Sequence, residues 1–285
     1  MKQTRSPDPM NAKPIALVTG ATGGIGNATC RRLQRSGYQV FATGRNLEAL
    51  ADLKSHGLQV RPLDVTDEGA VCRLVEEIDT EHGGVDVLVN NAGLGFASPL
   101  EQAALSDLRS VLETNVVAVL HLSQAVLPGM RARRAGTIVN IGSTGGRFTT
   151  PCAGAYHISK YGIEALSLAL RAEVKQFGVR VVLIEPTGVR TKFADAQLTA
   201  TRLSDVNDPY GEFKRRYAEL TGSMAQMPVV SIKPDTVARA VARAVDAKHP
   251  KPRYIVGLSG KASVLVRNLV SDRMWDRLLQ GPLGL

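Results

Sequence analysis

The sequence predicts a single α/β domain, a doubly wound parallel sheet of about seven strands with helices on both faces. Three observations carry that expectation. Short β-branched runs alternate with longer stretches of helical periodicity along most of the 285 residues. Several of the short runs are almost continuously apolar, as strands covered on both faces must be. No internal repeat, low-complexity segment or linker divides the chain, so one core is expected.

Taken in order, strands are expected at "IALVT" (15–19), "QVFAT" (39–43), "LQVRPL" (58–63), "VDVLVN" (85–90), "TIVNIG" (137–142), "VRVVLIE" (179–185) and "RYIVG" (253–257). Helices are expected between them at 25–36, 46–55, 68–82, 101–132, 154–177 and 234–247. The rhythm breaks at 187–232, too long for an ordinary connection and a mixture of helical pieces with Asp-Pro and Gly breaks. It leaves the carboxyl end of a sheet strand, above the crevice where open α/β sheets bind ligands, so a mobile lid is expected. Residues 1–13 read as a flexible arm, 14–258 as the domain proper, and 259–285 as its C-terminal extension.

Hydrophobic content of 44% and charged content of 21% are those of an ordinary globule. No apolar run reads as a membrane span and the polar head lacks a signal peptide, so a cytoplasmic location is expected. Cys30, Cys72 and Cys152 form no CxxC pair and leave one unpaired. This argues against a disulfide framework and against zinc. The net charge of +9 is scattered over "CRRLQR", "RARR", "FKRRY" and "VRNLVSDRMWDR". No nucleic-acid partner is expected from so dispersed a charge.

Chemistry concentrates in a few motifs. "VTGATGGIGNATCRRL" (18–33) follows the first strand and opens the first long helix, with glycines at Gly20, Gly24 and Gly26. Glycines there let the backbone approach a pyrophosphate at a helix N-terminus, where free N–H groups and the dipole favour negative charge. In "AYHISKYGIEAL" (155–166) Tyr156 and Lys160 are i and i+4 neighbours on one helix face. Tyr161 points about 100° away around the axis. A tyrosine can deliver a proton to an alkoxide, and a nearby ammonium favours its anion, lowering a pKa of about 10.

The glycine spacing, "NNAG" at 90–93, Ser143 and Y-x-x-x-K at 156–160 together resemble the short-chain dehydrogenase/reductase family, over roughly 14–191 and less specifically through 234–257. The resemblance implies a Rossmann-type fold and an NAD(P)(H)-dependent oxidoreductase that interconverts a ketone or aldehyde with an alcohol. It implies Tyr156 as general acid/base, Lys160 lowering its pKa and holding the nicotinamide ribose, and Ser143 binding the substrate oxygen. Asn115, in "LETNVVAVLHL", matches the asparagine that helps hold a relay water.

For the cofactor, the resemblance implies contacts from Gly20, Thr22, Gly24, Ile25 and Gly26. Asp64 and Val65 flank adenine, and Asn91, Ala92 and Gly93 form the turn that supports the adenosine side. Pro186, Gly188, Val189 and Thr191 correspond to the loop that meets nicotinamide. After the second strand "FATGRN" offers no acid but Arg45, which favours NADP(H) over NAD(H), although Gly23 lacks the second basic side chain many NADP binders carry. His157 is assigned no catalytic role, and Cys152 reads as a small filler. Phe96, Phe148 and Phe193 are candidate pocket walls. The tail 261–280 resembles the C-terminal extensions of family members with steroid-like, retinoid-like or other lipophilic substrates; its other readings are peripheral membrane contact, covering the pocket, a subunit contact, or plain packing on the domain. A homodimer or homotetramer is implied, with 101–132 and 154–177 as contact surfaces. A non-catalytic NADP-binding redox sensor is the alternative; sensors often lose the tyrosine or lysine kept here.

Overall fold

A computed structural model describes residues 13–191, 207–227 and 230–281. The first half of the chain lays down β1 (Ile15–Val18), α1 (Gly24–Arg35), β2 (Gln39–Gly44), α2 (Leu47–Ser55), β3 (Gln59–Pro62), α3 (Glu68–His82) and β4 (Val87–Asn90). There follow α4 (Leu105–Leu112), α5 (Ala118–Arg133), β5 (Gly136–Ile141), α6 (Gly154–Val174) and β6 (Val179–Pro186). The chain ends with β7 (Gly188–Val189), α7 (Gly211–Gln226), β8 (Ser231–Ile232), α8 (Pro234–Asp246), β9 (Arg253–Val256), α9 (Leu258–Leu269) and α10 (Asp272–Gln280).

Seven strands form the main sheet in the order β3-β2-β1-β4-β5-β6-β9, every neighbour parallel. The expected Rossmann-type architecture is the one observed. Alternation along β1 shows how two layers of helix are held. Ala16 and Val18 face one side with Cys30 and Leu33 of α1 and Val237 and Val241 of α8. Ile15 and Leu17 face the other with Ile78 of α3, Leu122 and Met130 of α5 and Leu170 of α6. The strand order reverses between β1 and β4, and the crevice at their carboxyl ends is where such sheets take ligands.

Two expectations need correction. The helix expected over 101–132 is interrupted: a 3-10 turn at Leu100–Gln102 precedes α4, and a wide π-turn at Glu113–Val117 joins α4 to α5. That turn carries Asn115, whose carboxamide clasps the backbone of Leu94, and such bulges recur where a helix must aim a side chain. Second, the helical stretch Leu105–Arg133, 29 residues long, is apolar enough to cross a membrane, contrary to the reading that no segment is. Its apolar face instead packs in the domain core through Ala118, Leu122, Val126 and Met130.

The 187–232 excursion is closed at its base by a parallel β7–β8 pair, Gly188 opposite Ser231 and Val189 opposite Ile232. Residues 192–206 and 228–229, and with them Phe193 and much of the expected lid, lie outside the described residues, as do 1–12 of the expected arm.

Candidate active site

The floor of the site is the crossing of the β1 turn with the end of β4. Gly20 has φ +63°, and a Cβ there would come within 2.8 Å of Ala92 Cα. A Cβ on Gly26 would lie 2.3 Å from the Gly20 carbonyl oxygen. Asn91 Nδ2 donates to the carbonyls of Thr19 (2.9 Å) and Gly20 (3.0 Å), and Thr19 Oγ1 accepts from the N–H groups of Asn91 and Ala92. The Asn91 carboxamide thus staples the turn. Helix α1 begins at Gly23 with no side-chain cap and no acid in its first turn. Its first N–H groups and the positive end of its dipole therefore remain available to an anion in the crevice.

A cavity of about 540 Å³ opens above this floor. Its walls include Gly20, Thr22, Gly24, Ile25, Arg45, Asp64, Val65, Asn91, Ala92 and Gly93, then Ser143, Tyr156, Lys160, Pro186, Gly188, Val189 and Thr191. Gly26 and Asn115, also expected here, are not wall residues. Gly26 is needed for the close crossing. Asn115 lies beneath the wall, Oδ1 accepting from Leu94 N–H at 2.7 Å and Nδ2 donating to Leu94 O and Ser159 Oγ. Gly44 lines the cavity as well, and Asn46, Thr114, Thr144 and Thr187 do so without having been read from the sequence. Thr114 adjoins Asn115 and Thr187 lies inside "EPTGVRT", so position beside a motif was the available signal.

At one end Arg45, two-thirds exposed, stands 3.8 Å from Asp64. Hydrogen bonds from the N–H and hydroxyl of Thr66 hold the Asp64 carboxyl below its usual range, with a further contribution from Arg45. At the other end Ser143, just past β5, meets Tyr156 and Lys160 of α6. Ser143 Oγ accepts from Gly145 N–H at 3.0 Å and shares a hydrogen bond with the Tyr156 phenol. Lys160 Nζ donates to Ile141 O at 2.9 Å and lies 5.5 Å from the Tyr156 ring centroid.

The electrostatics correct one expectation. Tyr156 sits above its ordinary pKa, because burial penalises the phenolate by more than the Ser143 hydrogen bond favours it. Burial also drives Lys160 down to about 8. The lowering of Tyr156 by Lys160 is therefore not the net result: the same exclusion of water disfavours both charges. His157 is buried and turned away, its Nδ1 2.7 Å from Gly145 O and its Nε2 accepting from Thr150 N–H at 3.0 Å. It braces the loop after Ser143. Cys152, packed with Ala97 and Tyr217, lines a second cavity beside α6, and burial pushes its thiol up to about 12.

Phe96 and Phe148, two of the expected aromatic walls, are elsewhere. Phe96 packs on Val111 and Ala155, and Phe148 meets Trp275 edge-on at 5.4 Å. The second cavity, of about 760 Å³, lies along the opposite flank of the α6 N-terminus, with Leu100, Pro151, Ile158, Phe213 and Leu279 in its walls. Helix α7 reaches it through Phe213, and just before that helix Asp208 pairs with Lys214 and accepts from Gln102 Nε2 at 3.0 Å.

Comparison with known proteins agrees with this geometry. A family description, "short chain dehydrogenase", matches residues 14–201. The NADPH-dependent 3-dehydrocapnine reductase of Ornithobacterium rhinotracheale is 33% identical over 92% of this chain and 95% of its own. The 3-ketodihydrosphingosine reductase of Bacteroides thetaiotaomicron is 33% identical over 85% and 87%. The crystal structure of a short-chain dehydrogenase from Streptomyces avermitilis superposes with a TM-score of 0.78 at 32% identity, covering 95% of this chain and 98% of that one.

Proposed function

The chain belongs to the short-chain dehydrogenase/reductase family, and on that premise we propose that it interconverts a ketone or aldehyde with an alcohol using NADP(H). One observation carries the proposal: Ser143, Tyr156 and Lys160 converge at one end of a cavity whose other end has an uncapped helix N-terminus and a guanidinium. The residues fit a dinucleotide. The first N–H groups of α1 would hold the pyrophosphate, Arg45 a ribose 2′-phosphate, and Asp64 and Val65 the adenine side. Lys160 would hold the nicotinamide ribose beside the loop of Pro186, Gly188, Val189 and Thr191. When bound, the nicotinamide supplies or accepts the hydride.

The chain's own part is the proton. With its pKa raised, Tyr156 is a neutral phenol at neutral pH, the form that donates to a developing alkoxide. The Ser143 hydroxyl would hydrogen-bond the same oxygen as negative charge grows there. The Lys160 ammonium would then attract the phenolate left behind.

The relatives named above are reductases of 3-dehydrocapnine and 3-ketodihydrosphingosine by name, which supports a lipophilic ketone for this chain as well. The exposed Val117, Leu120 and Leu168 on α5, its lead-in turn and α6 support self-association through those helices. The test is NADPH oxidation across a panel of ketones of rising chain length, with Tyr156→Phe alongside. Turnover by the wild type and a loss of about 10²–10⁴-fold in kcat for the variant are expected. Equal rates would refute the proton-donor role.

A further inference from the structure

Four side chains behind the catalytic groups form a cluster that the reaction described above does not use. Arg147 comes from the turn after Ser143, Glu164 from α6, Glu185 from β6 just before Pro186, and Arg253 from β9. Glu164 Oε1 accepts from Arg147 Nη1 at 3.1 Å and from Arg253 Nη2. Arg253 Nε also lies 3.3 Å from Glu185 Oε2, without the alignment of a hydrogen bond. The Glu185 side chain is 1% exposed and that of Glu164 16%.

Neither oxygen of Glu185, nor Glu164 Oε2, receives a hydrogen bond from any described donor. Yet the two carboxyl groups lie within hydrogen-bonding reach of each other. Two buried acceptors facing one another without a donor is an arrangement that a single proton resolves. Burial, the first cause, and then the Glu164 charge push Glu185 up to about 8, while Arg147 opposes the shift. The groups facing Glu185 are thus Glu164 from α6, Arg147 from the turn after β5 and Arg253 from β9. Lys160, one helical turn before Glu164, directs its ammonium to Ile141 O instead.

We propose that Glu164 and Glu185 share one proton, and that the protonated pair, gripped by Arg147 and Arg253, is a positioning device for the catalytic groups. Three members of the cluster each anchor a different part of the site: Arg147 the Ser143 turn, Glu164 the helix of Tyr156 and Lys160, and Glu185 the strand that leads into the Pro186 loop; Arg253 ties them to β9. While the proton is present the four elements are tied by hydrogen bonds. Its loss sets two buried carboxylates against each other and loosens the register between Ser143 and Tyr156. None of the four is a catalytic residue. The positioning role rests on the assignment of Ser143 and Tyr156 above, whereas the shared proton does not.

The test compares Glu185→Gln, which keeps a neutral hydrogen-bonding side chain, with the wild type from pH 4.5 to 9.5. With the folded pKa raised from 4.5 to about 8, the wild type loses stability as pH rises across that window. Its melting temperature should therefore fall relative to Glu185→Gln between pH 4.5 and 8, with or without cofactor. The ratio of wild-type to Glu185→Gln kcat should stay within about two-fold at pH 6–7 and fall about three- to ten-fold by pH 9.5. Titration of Lys160 is common to both proteins and cancels in that ratio. Glu185→Ala should lower kcat about ten-fold at pH 7 with little change in KM, as lost orientation does. Parallel melting curves for wild type and Glu185→Gln would overturn the shared proton. A pH-independent kcat ratio, or full kcat in a folded Glu185→Ala, would overturn the positioning role.

Discussion

Replacing Arg45 by alanine tests the adenosine end of the cavity independently of any substrate. A charge-assisted hydrogen bond to a phosphate is worth about 1.5–3 kcal/mol where both groups are shielded from water. Arg45 is not well shielded: its side chain is 67% exposed, and Asp64 at 3.8 Å already occupies part of its field. Solvent and salt screening place the expected loss near the bottom of that range, about 1.5 kcal/mol, or roughly ten-fold in NADPH affinity. NADH, which lacks the 2′-phosphate, should bind within about two-fold of its wild-type affinity. Fluorescence titration of both dinucleotides at low and moderate ionic strength measures this, and the NADPH loss should shrink as salt rises. An equal loss for the two would mean that Arg45 acts on the shape of the adenosine pocket. No loss for either would mean that the side chain faces water in the complex. Both results defeat the phosphate assignment.

Two other perturbations probe different parts of the structure. Gly26→Ala forces a methyl group to within 2.3 Å of the Gly20 carbonyl and 2.7 Å of the anchored Asn91 carboxamide. It should reduce stability by about 1–3 kcal/mol in urea unfolding, and an unchanged midpoint would show that the crossing has room. Lys160→Met should abolish turnover yet stabilise the fold at pH 7. The folded pKa of about 8 lies below the ordinary 10.5, so the folded state bears the cost of the buried ammonium below pH 8 and is relieved as pH rises toward 10.5. The gain should be on the order of 1–3 kcal/mol at neutral pH, after the lost bond to Ile141 O, and should vanish near pH 10. A variant less stable than wild type at pH 7 would refute this.

The architecture was legible because its signals are local. "IALVT" and "VRVVLIE" are too uniformly apolar for surface strands, and the glycine trio sits where a strand hands over to a helix. The helix geometry of Tyr156 and Lys160 followed from 3.6 residues per turn alone. The π-turn at Asn115 did not, because it depends on Leu94 across 21 residues, a contact that no periodicity reports. Phe96 and Phe148 went astray for a related reason: an aromatic in a loop near the site has no period to fix its direction. The Glu164–Glu185 pair was invisible because its partners come from a turn, a helix and two strands. Each member alone reads as an ordinary surface charge, and only burial on several sides makes the set unusual.

On the proposed role of Tyr156 as proton donor, the direction of its shift has a consequence for how catalysis would be achieved. Adjacency at i and i+4 supplies a neighbour but not a dielectric, so it could not reveal that both groups are desolvated. In the resting site a neutral phenol faces an ammonium, and little attraction is gained between them. Only when the phenol gives up its proton would an ion pair form, on a cavity wall where burial already disfavours both charges. There a unit charge interacts several-fold more strongly than it would in water. The stabilisation therefore appears as the proton leaves rather than beforehand, which is where an interaction raises kcat instead of merely tightening the ground state. A Lys160 that had already drawn Tyr156 into its phenolate form at neutral pH would have delivered that energy too early. It would also have left no proton to donate.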